Sequence, residues 1–204
     1  MRILLILLFI SFNSLGQDFA IAKEEEDKLS KFYIGLGAGF ASKGGDLTTD
    51  AYSNGIHLNF LNLGYRINQT FGVTANFTSS GHKFDYDYSS IGIAYLSVGG
   101  ILSIPTEYFT IDIKPQYAPR VFGAFYGDIL DDLDVYEMNI YGSGFVFGNS
   151  IVRSTKKGIS FSLDIDYLSA RFDESRINGL YYDDGSDYSS FRIGIGFRYN
   201  FRTK

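Results

Sequence analysis

From residue 32 to residue 201 the chain alternates between apolar residues and small or polar ones with a period of two. That period puts successive side chains on opposite faces of a strand, so it dictates extended structure along those segments. Phe32, Ile34, Leu36, Ala38 and Phe40 share one face, and Tyr33, Gly35, Gly37 and Gly39 the other. Glycines two apart line a strand face; a dinucleotide-binding loop spaces them differently. The pattern recurs over 71–78, 109–114, 159–167 and 191–201. It predicts eight strands, at 32–41, 55–67, 71–81, 91–104, 109–121, 139–152, 159–171 and 190–201. The connections alternate in length: 13, 9, 17 and 18 residues after odd strands, and 3, 4 and 6 after even ones. Long loops at one end and short turns at the other are the layout of a membrane barrel.

Composition narrows the function classes. The net charge of −5 lacks the basic face that a nucleic-acid binder needs. With no Cys there is no disulfide scaffold, no Cys-ligated zinc and no Cys nucleophile. Gly at 23 of 204 residues, with 19 Phe, 16 Tyr and only 3 Pro, suits many extended strands.

The first residues read as an address. Arg2 is followed by an apolar run over 3–10, and Ser14-Leu15-Gly16 places small residues ahead of Gln17. This is the layout of a secretory signal peptide over 1–16, too short for the ~20 apolar residues of a spanning helix. Residues 17–31 are a charged lead-in, and 32–201 form the barrel domain.

The polar face is mostly Gly, Ser, Thr and Asn. Such residues suit a crowded interior, with the apolar face turned to lipid. Turning the last strand over would put Arg192 and Arg198 in hydrocarbon, at roughly 2–4 kcal/mol each near the midplane. Both are therefore expected inside, paired with Asp164 and Asp166, with Asp112, Lys114 and Arg120 in the same network. Eight strands leave an interior that side chains fill, so no open pore is expected. Pro115 and Pro119 predict a bulge or an early end in the fifth strand, and a phase switch at Phe60 and Leu61 predicts a bulge in the second. Acidic residues gather at 122–138 (charge −5) and 172–189 (charge −4), including Asp128, Asp131, Asp132, Asp134, Glu137, Asp173, Glu174, Asp183, Asp184 and Asp187. These segments, which also carry Phe125, Tyr126, Tyr136, Tyr181, Tyr182 and Tyr188, are the expected contact surface for an extracellular ligand or divalent cations, although neither fits a Ca²⁺-loop pattern.

The chain ends its last strand with Gly196, Phe197-Arg198, Tyr199, Asn200 and Phe201. In this it resembles the small outer-membrane β-barrels of Gram-negative bacteria, such as the membrane domain of outer membrane protein A and outer membrane protein X. The resemblance covers about 32–201. It implies an all-β, eight-stranded antiparallel up-and-down transmembrane barrel in the cell outer membrane, with both termini periplasmic. It further implies recognition by the barrel assembly machinery through Gly196, Tyr199 and Phe201. The implied role is non-enzymatic: envelope structure, adhesion or surface ligand contact.

Two alternatives stand beside it. Some barrels of similar size are lipid A acyltransferases or deacylases that use a His with Ser and an acid near the outer rim. Here His57 is expected to fall opposite His82, with Ser80 and Asp85 nearby. The other alternative is a soluble periplasmic lipocalin-like binder. No catalytic, cofactor-binding or metal-binding residue is assigned, and no cofactor.

Overall fold

The computed structural model describes residues 31–45, 53–83, 90–126, 138–155, 158–177, 179–183 and 185–201. It is all-β and antiparallel, with no helix among the described residues. The strands are β1 (Phe32–Ala41), β2 (Gly55–Arg66), β3 (Phe71–Lys83), β4 (Ser90–Pro105), β5 (Thr110–Tyr126), β6 (Met138–Ser154), β7 (Ile159–Ile177), β8 (Leu180–Asp183) and β9 (Asp187–Phe201). Each strand from β1 to β6 pairs with the next in sequence, β6 pairs with β7, β7 with β9, and β9 with β1. Cross-strand partners can be followed from Ser169 through Phe145, Tyr117, Val98, Ala75, Leu63, Ile34 and Tyr199. The path returns to β7 at Ile159, ten residues below its start at position 169.

The segment 172–189, expected as a loop, is a hairpin. β7 runs on to Ile177, and β8 returns along β7 from Leu180 opposite Ile177. Gly179 has φ 82°, a left-handed conformation that glycine adopts at no steric cost. β8 and β9 lie in line on the same side of β7. Between them the Phe172 N–H donates to the Ser186 carbonyl, so the ladder is interrupted and then resumes.

Both expected irregularities are present. Phe60 is the extra residue of β2 against β3, where the register shifts between Asn59 and Leu61. The fifth strand does not stop at its prolines. It bulges between Ala118 and Val121 against β6, so Pro119 sits where no ladder donor is needed. The bulge also reverses the local phase. Ala118 and Val121 are buried while Pro119 and Arg120 are both exposed. Arg120 therefore does not join the interior network.

The apolar face points outward. Phe40, Phe145 and Ile195 are 72%, 68% and 73% exposed, and the same face of β7 carries Phe161, Leu163 and Tyr167. The interior changes character along its length. Toward the end joined by the short turns at 67–70, 106–109 and 155–158 it is polar and charged, as expected. Toward the opposite end it is apolar, a core of Ile91, Ile93, Val121, Phe125, Ile140, Leu168, Phe172 and Tyr188, so Phe125 and Tyr188 pack inside rather than on the expected contact surface. At that level the outward residues of β7 become Ser169, Arg171 and Asp173, all exposed. The in–out pattern is inverted there, as it is where a sheet leaves an apolar surround and meets water.

Candidate functional site

The charged end of the interior is built by inward positions of strands far apart in sequence. Asp112 on β5 is the hub. It accepts from Arg198 Nη1 at 2.7 Å, from Arg66 Nη2 at 3.2 Å and from the Ser103 hydroxyl at 2.7 Å. Asp164 on β7 accepts from Ser162 at 2.8 Å and from Ser150, and lies 3.5 Å from Arg198 Nη2 and 3.9 Å from Lys114 Nζ. Beside them Gln116 Oε1 accepts from Asn76 and from Ser97, each at 2.7 Å. Tyr33 places its ring against the guanidinium groups of both Arg198 and Arg66, at 4.7 and 5.8 Å. Buried charges persist only when paired and hydrogen-bonded in this way.

Three expectations are corrected here, and one residue is added. Arg198 pairs with Asp164 as expected, but more closely with Asp112, and not with Asp166. Arg66, which sequence reasoning passed over, is a full member. Its signal was its place in the alternation of β2, opposite in face to Tyr65. Arg192 is buried opposite Asp166 in the register, yet no ion pair joins them. Its guanidinium stacks instead on the Tyr95 ring at 4.9 Å. Arg120 is on the outside, 5.3 Å from the ring of Tyr141, whose other neighbour is Arg176 at 4.8 Å.

The two histidines do not face each other. The bulge at Phe60 puts His57 opposite Ser80, and His82 one inward step further along β3. His82 Nε2 is 3.0 Å from the Tyr188 hydroxyl and its Nδ1 3.3 Å from the Ser53 carbonyl. Since a carbonyl only accepts, Nδ1 carries the proton, Nε2 accepts, and the Tyr188 hydroxyl donates to it. Ser80 Oγ lies 3.3 Å from the same hydroxyl. Ser80 and His82 are thus tied to a tyrosine that belongs to the apolar core. Asp85 lies outside the described residues, as do the acidic residues at 128–137 and Asp184. Among the described residues no group of three His, Cys, Asp or Glu side chains is placed to hold a metal ion.

The C-terminal strand residues divide by face. Tyr199 and Phe201 point outward with ring centroids 5.1 Å apart, and Phe201 lies 5.1 Å from Phe32 of β1. Gly196 faces inward, where a Cβ would stand 2.3 Å from Ser162 Oγ and 2.5 Å from Asp164 Oδ2.

The structure matches the crystal structure of Neisserial surface protein A with a TM-score of 0.57 at 13% identity, over 86% of this chain and 100% of that one. It matches Ail, the attachment invasion locus protein of Yersinia pestis, with a TM-score of 0.50 at 15% identity, over 84% and 99%. The fold is that of the small outer-membrane proteins. No protein-family model and no curated protein matches the sequence. In this outer-membrane-protein fold, the outward band of Phe, Ile, Leu and Tyr and the inward ion cluster are two faces of the same strands.

Proposed function

We propose that the chain is a non-enzymatic integral protein of the bacterial outer membrane, a closed eight-stranded barrel in which β8 and β9 are one strand with a break. The unbroken path of partners supports closure, and its ten-residue offset is the stagger that tilted strands require. Residues 1–16 are the signal peptide, 17–31 a periplasmic lead-in and 32–201 the barrel. The short turns and both termini face the periplasm.

One observation carries this reading: large apolar side chains face out where ionic ones face in. A soluble binder would leave Phe40, Phe145 and Ile195 in water, a far larger apolar surface than monomers tolerate. The filled interior, ionic below and apolar above, supports a plugged barrel rather than a diffusion pore. Beyond the apolar band, β5–β8 continue as a wall bearing Arg120, Tyr141, Arg176 and Tyr181, and this wall is the surface for contact with matrix, host or neighbouring envelope components. Acidic side chains beside it at Asp173, Asp183 and Asp187 favour cationic groups or divalent ions. The outward Tyr199 and Phe201, with Gly196, are the features for the barrel assembly machinery. A lipid-modifying rim enzyme is disfavoured because the Tyr188 hydroxyl occupies Nε2 of His82.

Fractionation with protease mapping tests the assignment. The protein should resist carbonate extraction and migrate faster unboiled than boiled. On intact cells, cleavage should be confined to 42–54, 84–89, 127–137 and 178–186. Release by carbonate, or cleavage at 67–70 or 155–158 in intact cells, would overturn it.

A further inference from the structure

We infer that the outer face of β6 binds the phosphate headgroup of a lipid, at the border where the apolar band ends. The inference rests on the orientation proposed above, with the long-loop end outside. The outward positions of β6 are, in descending order, Tyr141, Ser143, Phe145 and Phe147. Phe145 and Phe147 are exposed, and the Tyr117 ring lies 5.2 Å from that of Phe145. One outward step above Phe145 the side chain shrinks to Ser143. Arg171 of β7 stands opposite Ser143 in the register. On the other side Arg120 belongs to the β5 bulge, between the pairs Ala118–Gly144 and Val121–Gly142, and so flanks the same position. Two arginines therefore border one small hydroxyl residue, on strands roughly 10 Å apart across β6.

Both arginines are exposed, and among the described residues neither guanidinium makes an ion pair or a hydrogen bond. Arg120 packs on the Tyr141 ring at 5.3 Å, which leaves its in-plane N–H donors free at the edge. Such a fork suits phosphate oxygens. The nearby carboxylates lie elsewhere: Glu174 is held by Arg176 at 2.7 Å, and Asp183 stands opposite Glu174, farther from the apolar band. Asp187 faces Arg171 from β9, on the side away from Ser143, with no ion pair between them. The Ser143 position is thus bordered by cations above and aromatic rings below. That order matches an amphiphile whose chains lie along Phe145 and Phe147 while its phosphate meets Arg120 and Arg171. A soluble anion would use the arginines and leave the aromatic column idle.

The test is native mass spectrometry of the detergent-purified protein, titrated with dioleoyl phosphatidic acid and, separately, with zwitterionic dioleoyl phosphatidylcholine. One phosphatidic acid should be retained per protein, with a preference of about tenfold over phosphatidylcholine. Joint Arg120→Gln and Arg171→Gln should remove that preference. Arg153→Gln, the same charge change on an exposed residue at the turn end of β6, should leave it intact. Glycerol phosphate, which has no acyl chains, should not displace the lipid. Equal retention of the two lipids overturns the proposal, as does an undiminished preference in the double variant, the same loss in Arg153→Gln, or displacement by equimolar glycerol phosphate. If the double variant does not fold, the wild-type lipid preference and the glycerol phosphate competition decide. A wild-type protein that lacks the fast-migrating unboiled band overturns the outer-membrane reading itself, whereas one that has the band and does not discriminate overturns only the lipid site.

Discussion

Asp112 and Arg198 stand 86 positions apart in sequence, on β5 and β9, and their side chains meet across the interior at 2.7 Å. Asp112 also holds Arg66 of β2, so one carboxylate links three strands of the wall. Replacing it by Ala leaves two buried guanidinium groups short of their anion. Removing one partner of a buried pair costs about 3–5 kcal/mol. Asp112→Ala should therefore lower the unfolding free energy obtained from urea titration by that amount, whereas Arg120→Ala, on the outer face, should change it by less than about 1 kcal/mol.

The boundary of the apolar band on β7 predicts a depth dependence. Leu163→Arg should destabilise insertion by roughly 2–4 kcal/mol, the cost of a cation facing the bilayer midplane. Ser169→Arg, six residues along on the same face, should be close to neutral. Equal effects of the two substitutions in lipid-vesicle folding titrations would place the bilayer elsewhere.

Gly39 sits where β1 and β9 approach too closely for a side chain. A Cβ there would lie 2.1 Å from the Ile193 carbonyl oxygen and 2.4 Å from the Gly194 Cα. Both are backbone atoms and cannot rotate away. Gly39→Val should separate the β1–β9 seam, and the compact, faster-migrating band on unboiled gels should be lost.

Tyr188→Phe removes one hydroxyl and leaves Nε2 of the buried His82 without its donor. The expected loss is about 1–3 kcal/mol, the penalty for an unsatisfied buried polar group. Combining it with His82→Phe should recover part of that loss, since both partners are then apolar. A double variant weaker than the sum of the two single changes would contradict the hydrogen-bond assignment.

Much of this was legible because a period of two carries both strand and face. The limits of β1 and the bulge at Phe60 follow from alternation and its interruption. Alternation reports which side a residue takes but not how high it sits. The inward Ile91, Ile93 and Leu168 therefore gave no sign that the interior turns apolar beyond the lipid band. Asn178-Gly179 between Ile177 and Leu180 is a recognised hairpin signal, overlooked amid the surrounding acidic residues. Arg120 was misplaced because Pro119 was expected to weaken the strand, when its effect is to shift the phase by one. The His57–His82 pairing fails on the side of the bulge: the extra residue, Phe60, lies in β2 and carries His57 to Ser80, whereas a partner at position 82 would need the extra residue in β3.

Strand lengths are unequal around the molecule: β1 and β2 have 10 and 12 residues, while β5, β6 and β7 have 17, 17 and 19. A tube cut on such a slant has a tall flank and a low one. In the orientation proposed above, whatever approaches from outside the cell touches the tall flank first, and on its outer side rather than at its mouth. Antibodies or receptors selected against the intact surface should therefore converge on the flank formed by β5, β6 and β7, and the mouth itself should be the last place they reach.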